Sequence, residues 1–333
     1  MGRLKEISRA ALPIVRRTIG PQNTARLIRA AAKLNLASQS GRESLGHPSP
    51  QLSKEVSELA ANYASKRIGL FLLSPRMLSL QDRRIAEAIA QFFAQTNSLP
   101  SIGATQIAAS VAEFRKVFLD SPVTGNVYGA NFPSGVNLFC LARHLKPSLI
   151  VESGVYKGQS SYFLASACPT ARVLAFDPNL SEVKHRAAGV VYNEHDWINT
   201  DVRCNAPDTG LCFFDDHQNQ ALRVIQAYER GFRHILFDDS WPIDVITGTG
   251  WPPLPSLDMV MNDTLEPDET VEWIEGDKKW RYSNDEKMRD LCTRARRLIK
   301  FACDVPTLYR ECGIAPTSAY KYVELISDGL ASS

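Results

Sequence analysis

The sequence predicts an α/β protein built on a parallel sheet, and three features of its second half carry that expectation. Short apolar runs recur at residues 149–153, 173–177, 211–214 and 234–237, each the length of a buried strand. Helical stretches separate them. Each run also ends on or beside a carboxylate: Glu152, Asp177, Asp215 with Asp216, and Asp238 with Asp239. A parallel sheet puts all those carboxyl ends on one edge, where open α/β folds bind ligands.

The elements follow in chain order. Residues 1–38 form a basic amphipathic arm, with Arg3, Lys5, Arg9, Arg16, Arg17, Arg26, Arg29 and Lys33 against the single acid Glu6. Such an arm suits an anionic membrane surface, an organellar transit peptide, or a solvated helix broken at Pro13 and at Gly20-Pro21, and the three readings stay open. Residues 39–51 are a Ser/Gly/Pro-rich connector. From 52 to 120 the pattern is helical: Ser79 ahead of Asp82 reads as an N-terminal cap, and Ile85, Ile89 and Phe92 share a face. That block is expected to be a cap or a dimerisation element, which would make the protein a homodimer. Beyond it, the first strand enters a glycine turn and a helix begins near Gly158. A helix over 221–228 stops at Gly231, residues 286–301 read as a basic helix, and 320–325 as an antiparallel edge strand.

Composition removes several classes of function. No run approaches the ~20 apolar residues that cross a bilayer. With 38 Lys and Arg against 36 Asp and Glu, the net charge of +2 leaves no electrostatic footprint for nucleic acid. The seven cysteines are odd in number and never form CxxC, so neither a disulfide framework nor a zinc site is expected. A reducing, cytoplasmic setting follows, with membrane association through the arm or organellar targeting left open. The N-terminus lacks the apolar stretch and cleavage site of a secretory signal.

The turn Glu152-Ser-Gly154-Val-Tyr156-Lys157-Gly158 holds the first chemical signal. Its two glycines let backbone approach a ligand and helix approach strand, but the GxGxxG fingerprint is absent. An acid directly ahead of the glycine opposes a pyrophosphate and welcomes an ammonium. A nucleoside with an amino-acid tail and no phosphates, such as S-adenosylmethionine, satisfies both conditions. Asp177, at the end of the next strand, stands where a carboxylate takes ribose hydroxyls.

These residues carry a resemblance. V-E-S-G-V-Y-K-G-Q-S-S at 151–161, Phe176-Asp177, Asp216-His217 and Asp238-Asp239 together resemble class I S-adenosylmethionine-dependent methyltransferases. More narrowly they are similar to the branch of macrocin O-methyltransferase and the cephalosporin hydroxylase-like proteins. The resemblance spans residues 149 to about 241 and implies a Rossmann-like sheet with helices on both faces over 121–330, plus a helical N-terminal extension. It also implies that Glu152, Gly154, Tyr156, Lys157 and Gly158 line the cofactor's methionine part, that Ser160 holds its carboxylate, and that Asp177 binds the ribose. Adenine contacts are expected among residues 193–197.

Where that branch reads Asp-Gly-Asp-His, this chain reads Phe214-Asp215-Asp216-His217. Asp216 and His217 then match, and Asp215 stands in for the first acid. His217 is the candidate general base, because imidazole accepts a proton near neutral pH, with Asp216 beside it. Asp215, Asp238 and Asp239 offer hard oxygen ligands suited to Mg²⁺ or another divalent cation. Trp241 and Trp251, in the long loop after the fifth strand, are expected to shape an acceptor pocket or lid. The implied activity is methyl transfer to a hydroxyl of a small molecule or glycan. Adjacent aspartates also fit a metal-dependent glycosyltransferase, and the basic arm fits a non-catalytic scaffold.

Overall fold

Each apolar run becomes a strand in the structure, a computed structural model that describes residues 75–96, 99–123, 126, 129–206, 209–246, 252–275, 278–314 and 316–327. The basic arm, the connector, residues 52–74 and Trp251 lie outside the described residues. β1 (Leu149–Ser153), β2 (Arg172–Phe176), β3 (Val190–Asn193), β4 (Gly210–Phe214) and β5 (His234–Phe237) pair in parallel. β8 (Ile299–Asp304) and β9 (Lys321–Leu325) join them antiparallel, in the order β3-β2-β1-β4-β5-β9-β8. The chain winds outward from β1 to β3 and then returns to lay β4 on the other side of β1. A crevice therefore opens at the carboxyl ends of β1 and β4.

Helices cover both faces, as the resemblance implies. α1 (Pro75–Ala94), α2 (Ala104–Asp120), α3 (Phe132–Leu145), α4 (Gln159–Ala167) and the short α9 (Tyr309–Cys312) pack on one face. α5 (Gln220–Glu229), α7 (Leu257–Met261) and α8 (Glu286–Leu298) pack on the other, and α6 (Ile243–Ile246) follows β5. Alternation along the strands decides which side chain meets which layer. Ile150, Phe213, Leu236 and Tyr322 enter the core under α1 to α4; Val151, Phe214 and Ile235 enter the core under α5, α7 and α8. Asn131, Asn219, Ser256 and Asp285 cap α3, α5, α7 and α8 through their side chains, each worth about 1 kcal/mol.

The expected helical face of Ile85, Ile89 and Phe92 is buried in the same core as the sheet, with the Phe92 and Tyr322 rings 6.0 Å apart. Three local expectations are corrected. Ser79 lies inside α1 rather than at its start, and Asp82 is engaged by Arg115 of α2 at 2.5 Å. The basic helix stops at Leu298, because residues 299–304 are drawn into β8 alongside β9. β9 is antiparallel, yet it sits between β5 and β8 and leaves β8 at the edge. A separate hairpin of β6 (Thr270–Glu275) and β7 (Lys278–Ser283) follows α7. It packs Trp273 and Tyr282 into a small core with Trp241, Leu254 and Met288.

Candidate active site

The glycine turn after β1 is held by an acid from the next strand. Asp177 Oδ2 accepts hydrogen bonds from the backbone N–H of Val155 at 2.9 Å and of Tyr156 at 3.2 Å, and Oδ1 accepts from Asn179 N–H at 2.9 Å. Gly154 has φ +95°, and a Cβ there would run into the carbonyl oxygen of Asp215. Gly158, φ +84°, opens α4 under the carbonyl of His185. Both positions demand glycine for backbone conformation and for close packing.

Around this turn lies a cavity of about 530 Å³, within the range of small-molecule sites. One wall is the turn itself, Gly154, Val155, Tyr156 and Lys157, with Ser160 on the first turn of α4 and Asp177 at the end of β2. Asp215, Asp216 and His217 at the end of β4 form the facing wall. Gln159, Asn179 and Glu182 also line it, and Asn126, Gly129 and Ala130, ahead of α3, close the remaining side. Sequence reasoning missed these last residues. The signal for them was the Gly-Asn run at 125–131, a turn-forming segment joining two helices.

Several expected site residues fall elsewhere. Glu152 is fully buried behind the turn and is absent from the described wall; Ser161 donates to its Oε2, and its Oε1 has no partner among the described residues. Burial pushes its carboxyl up to about 7. Gly158 shapes the turn without lining the cavity. Of the stretch expected near adenine, Trp197 is buried among Phe214 and Phe232, and Asp196 binds Arg223. Trp241 packs under the hairpin and hydrogen-bonds the Asp239 side chain rather than lining the cavity.

Strand phase separates the two adjacent acids of β4. Asp215 follows Phe213 to the α1–α4 side, and burial beside Asp238 and Asp239 raises its carboxyl well above the usual range. Asp216 follows Phe214 to the α5 side. There Oδ2 accepts from Arg223 Nε at 2.9 Å, and Arg223 also donates to Asp196 at 2.7 Å. Asp238 is pushed up to about 8 by burial and by Asp239. His217 is partly exposed, with Nδ1 3.7 Å from Asp239 Oδ2. Among the described residues six non-glycines have φ in the left-handed region, and three of them, Tyr156, His217 and Asp239, follow β1, β4 and β5 at this edge. Strain of order 1–3 kcal/mol per residue concentrates where a site has to aim its groups.

The oxygen set of Asp215, Asp238 and Asp239 has the right chemistry for a hard cation. Its arrangement does not fit one as it stands. No group of three or more His, Cys, Asp or Glu among the described residues is disposed to hold a metal ion. Asp238 Oδ1 already accepts from Asp239 N–H at 2.7 Å.

No family model matches the chain, and no curated protein matches it. Among solved structures it is similar to the O-methyltransferase TomG of Streptomyces achromogenes, involved in tomaymycin synthesis and determined with S-adenosylmethionine. The two share 15% identity over 72% of this chain and 96% of that one, with a TM-score of 0.37. It is similar at 15% identity to an O-methyltransferase from Bacillus cereus determined with S-adenosylhomocysteine, over 72% of this chain and 90% of that one, TM-score 0.35. A methyltransferase from Geobacter sulfurreducens matches at 16% identity over 68% and 91%, TM-score 0.35. At this distance the likeness says nothing of chemistry or acceptor, which must come from the site. What the described residues establish is a Rossmann-like α/β sheet with a cavity at its switch point. No helix among them is long and apolar enough to cross a membrane.

Proposed function

We propose that the protein transfers the methyl group of S-adenosylmethionine to a hydroxyl oxygen of a small-molecule or glycan acceptor. One observation carries this reading: a single cavity at the β1/β4 switch point joins the glycine turn, Ser160 and Asp177 to Asp215 and His217. Charge supports it further. Asp177 and Glu182 line the cavity against Lys157, while Asp216 is already paired with Arg223 and burial raises Asp215, a setting that offers no surplus of positive charge to a pyrophosphate.

When bound, the cofactor supplies an electrophilic methyl group. The chain's own residues do the rest. Gly154 brings backbone close to the ligand, Ser160 offers a hydroxyl to an amino-acid carboxylate, and Asp177 offers its remaining lone pairs to ribose hydroxyls. His217 takes the proton of the acceptor hydroxyl, and Asp239 at 3.7 Å steadies the charge that the ring then carries. Asp216, held by Arg223, sets the backbone that presents His217. Asp215, Asp238 and Asp239 are not disposed to hold a divalent cation, so no step is routed through one. His217→Ala is expected to lower kcat about a hundredfold while leaving cofactor affinity unchanged. Unchanged kcat in that variant would remove His217 from the reaction.

A further inference from the structure

Hydrogen bonds in the wall ahead of α3 fix which way two side-chain amides face. Asn126 and Gln159, the first residue of α4, both line the cavity, and each is 7% exposed. The Gly129 N–H donates to Asn126 Oδ1 at 3.1 Å, and Asn126 Nδ2 donates to Gln159 Oε1. A backbone N–H can only donate, so the Asn126 atom that it meets has to be the oxygen. The Asn126 nitrogen is then turned to Gln159, and the Gln159 atom that receives it has to be an oxygen as well.

The segment that carries Asn126 is anchored from a second side. Thr317 Oγ1, ahead of β9, donates to the Gly129 carbonyl at 3.1 Å and accepts from the Asn131 N–H at 3.1 Å. A Cβ at Gly129 would run into the Asn126 side chain, so the absence of a side chain there lets the amide curl back onto its own backbone. Both polar atoms of Asn126 are thus engaged within the wall. Gln159 has spent its oxygen, which leaves Nε2, with two N–H groups, as the polar end that it can give to a guest. Ser160, the next residue of α4, brings a hydroxyl to the same cavity. Two adjacent donor groups without formal charge suit the two oxygens of a carboxylate.

We propose that Gln159 is a binding residue for the carboxylate of the ligand's amino-acid tail, and that Asn126 is the positioning residue that keeps the Gln159 amide nitrogen available to the cavity. Asn126 acts only through Gln159. The proposal rests on the methyl-transfer reading and adds the group of the cofactor that this wall selects.

The test is calorimetric titration of the full chain with S-adenosylmethionine and with decarboxylated S-adenosylmethionine, which keeps the nucleoside, the sulfonium and the ammonium and lacks only the carboxylate. Gln159→Met keeps length and charge and removes the N–H groups. It is expected to weaken S-adenosylmethionine about tenfold and the decarboxylated ligand by less than about twofold. Asn126→Ala is expected to show the same selectivity with a smaller loss, and to add nothing in the Gln159→Met background. An equal loss for both ligands, as a merely structural role would give, or no loss for S-adenosylmethionine, would overturn the proposal. A full additional loss from Asn126→Ala in the Gln159→Met background would overturn the role of Asn126. Should Gln159→Met fail to fold, Gln159→Glu keeps the oxygen that Asn126 needs and sets a negative charge against the carboxylate; unchanged S-adenosylmethionine affinity there overturns the proposal equally. A wild-type chain that binds neither ligand would sink the methyl-transfer reading and this proposal with it, whereas a wild-type chain that binds both leaves that reading standing and lets the variants decide on Gln159.

Discussion

Asp215 and Asp216 are neighbours in sequence and opposites in setting. On the α5 side, Asp216 and Asp196 share Arg223, whose side chain is 3% exposed and stacks over Phe214. On the α1–α4 side, Glu152, Asp215 and Asp238 are buried or desolvated together, and among the described residues no Lys or Arg pairs with any of them. The first cluster is compensated, so it serves the fold by tying β4, the β3–β4 connection and α5 together. The second has its carboxyls pushed toward neutrality, a state that proteins keep where a ligand or a reaction uses it.

The comparison breaks most sharply at Arg223. Arg223→Met is expected to cost about 3–5 kcal/mol, because it takes from Asp196 and Asp216 the guanidinium that balances their charge; denaturant unfolding measures it. A loss below ~1 kcal/mol would mean that the triad is not structural. Next comes pH. Glu152 rises from 4.5 to about 7, so between those values the folded chain binds a proton that the unfolded chain has lost. Its contribution is therefore full below pH 4.5 and falls away as pH climbs through 7, by about 3 kcal/mol in all. Unfolding midpoints at pH 5 and 7.5 should differ less in Glu152→Gln than in the wild type. The smallest effect is expected at Asp215→Asn, which removes an uncompensated acid and should raise the unfolding temperature at neutral pH. A fall there would show that the contact of Asp215 with Asp238 outweighs the cost of burying the acid.

The same two clusters mark what could be read from sequence. Strands buried on both faces leave short apolar runs, so β1, β2, β4 and β5 were legible, as were the acids at their ends. The face that each acid takes was not. It depends on whether Phe213 or Phe214 points toward α1, a phase set by packing that no single residue announces. β8 was hidden because Ile299 and Phe301 extend the apolar spacing of α8, and only pairing with β9 stops the helix. The position of β9 inside the sheet is a long-range fact with no local signature. The β6–β7 hairpin was not anticipated, although Val271, Trp273, Trp280 and Tyr282 alternate with Glu272, Lys279 and Arg281 around Gly276-Asp277 in the sequence, a pattern that local reading could have caught. Asn126 and Gly129 entered the cavity wall through tertiary packing of a segment that carries no chemical motif of its own.

Methyl transfer of the kind proposed requires the cavity beside Gly154 to take S-adenosylmethionine. Calorimetric titration of the purified chain with S-adenosylmethionine, and separately with a nucleotide sugar in the presence of Mg²⁺, tests it most directly. Micromolar binding of S-adenosylmethionine without metal, and none of the nucleotide sugar, is the expected result. No heat from S-adenosylmethionine, or Mg²⁺-dependent binding of the nucleotide sugar in its place, would rule out methyl transfer from S-adenosylmethionine at this cavity.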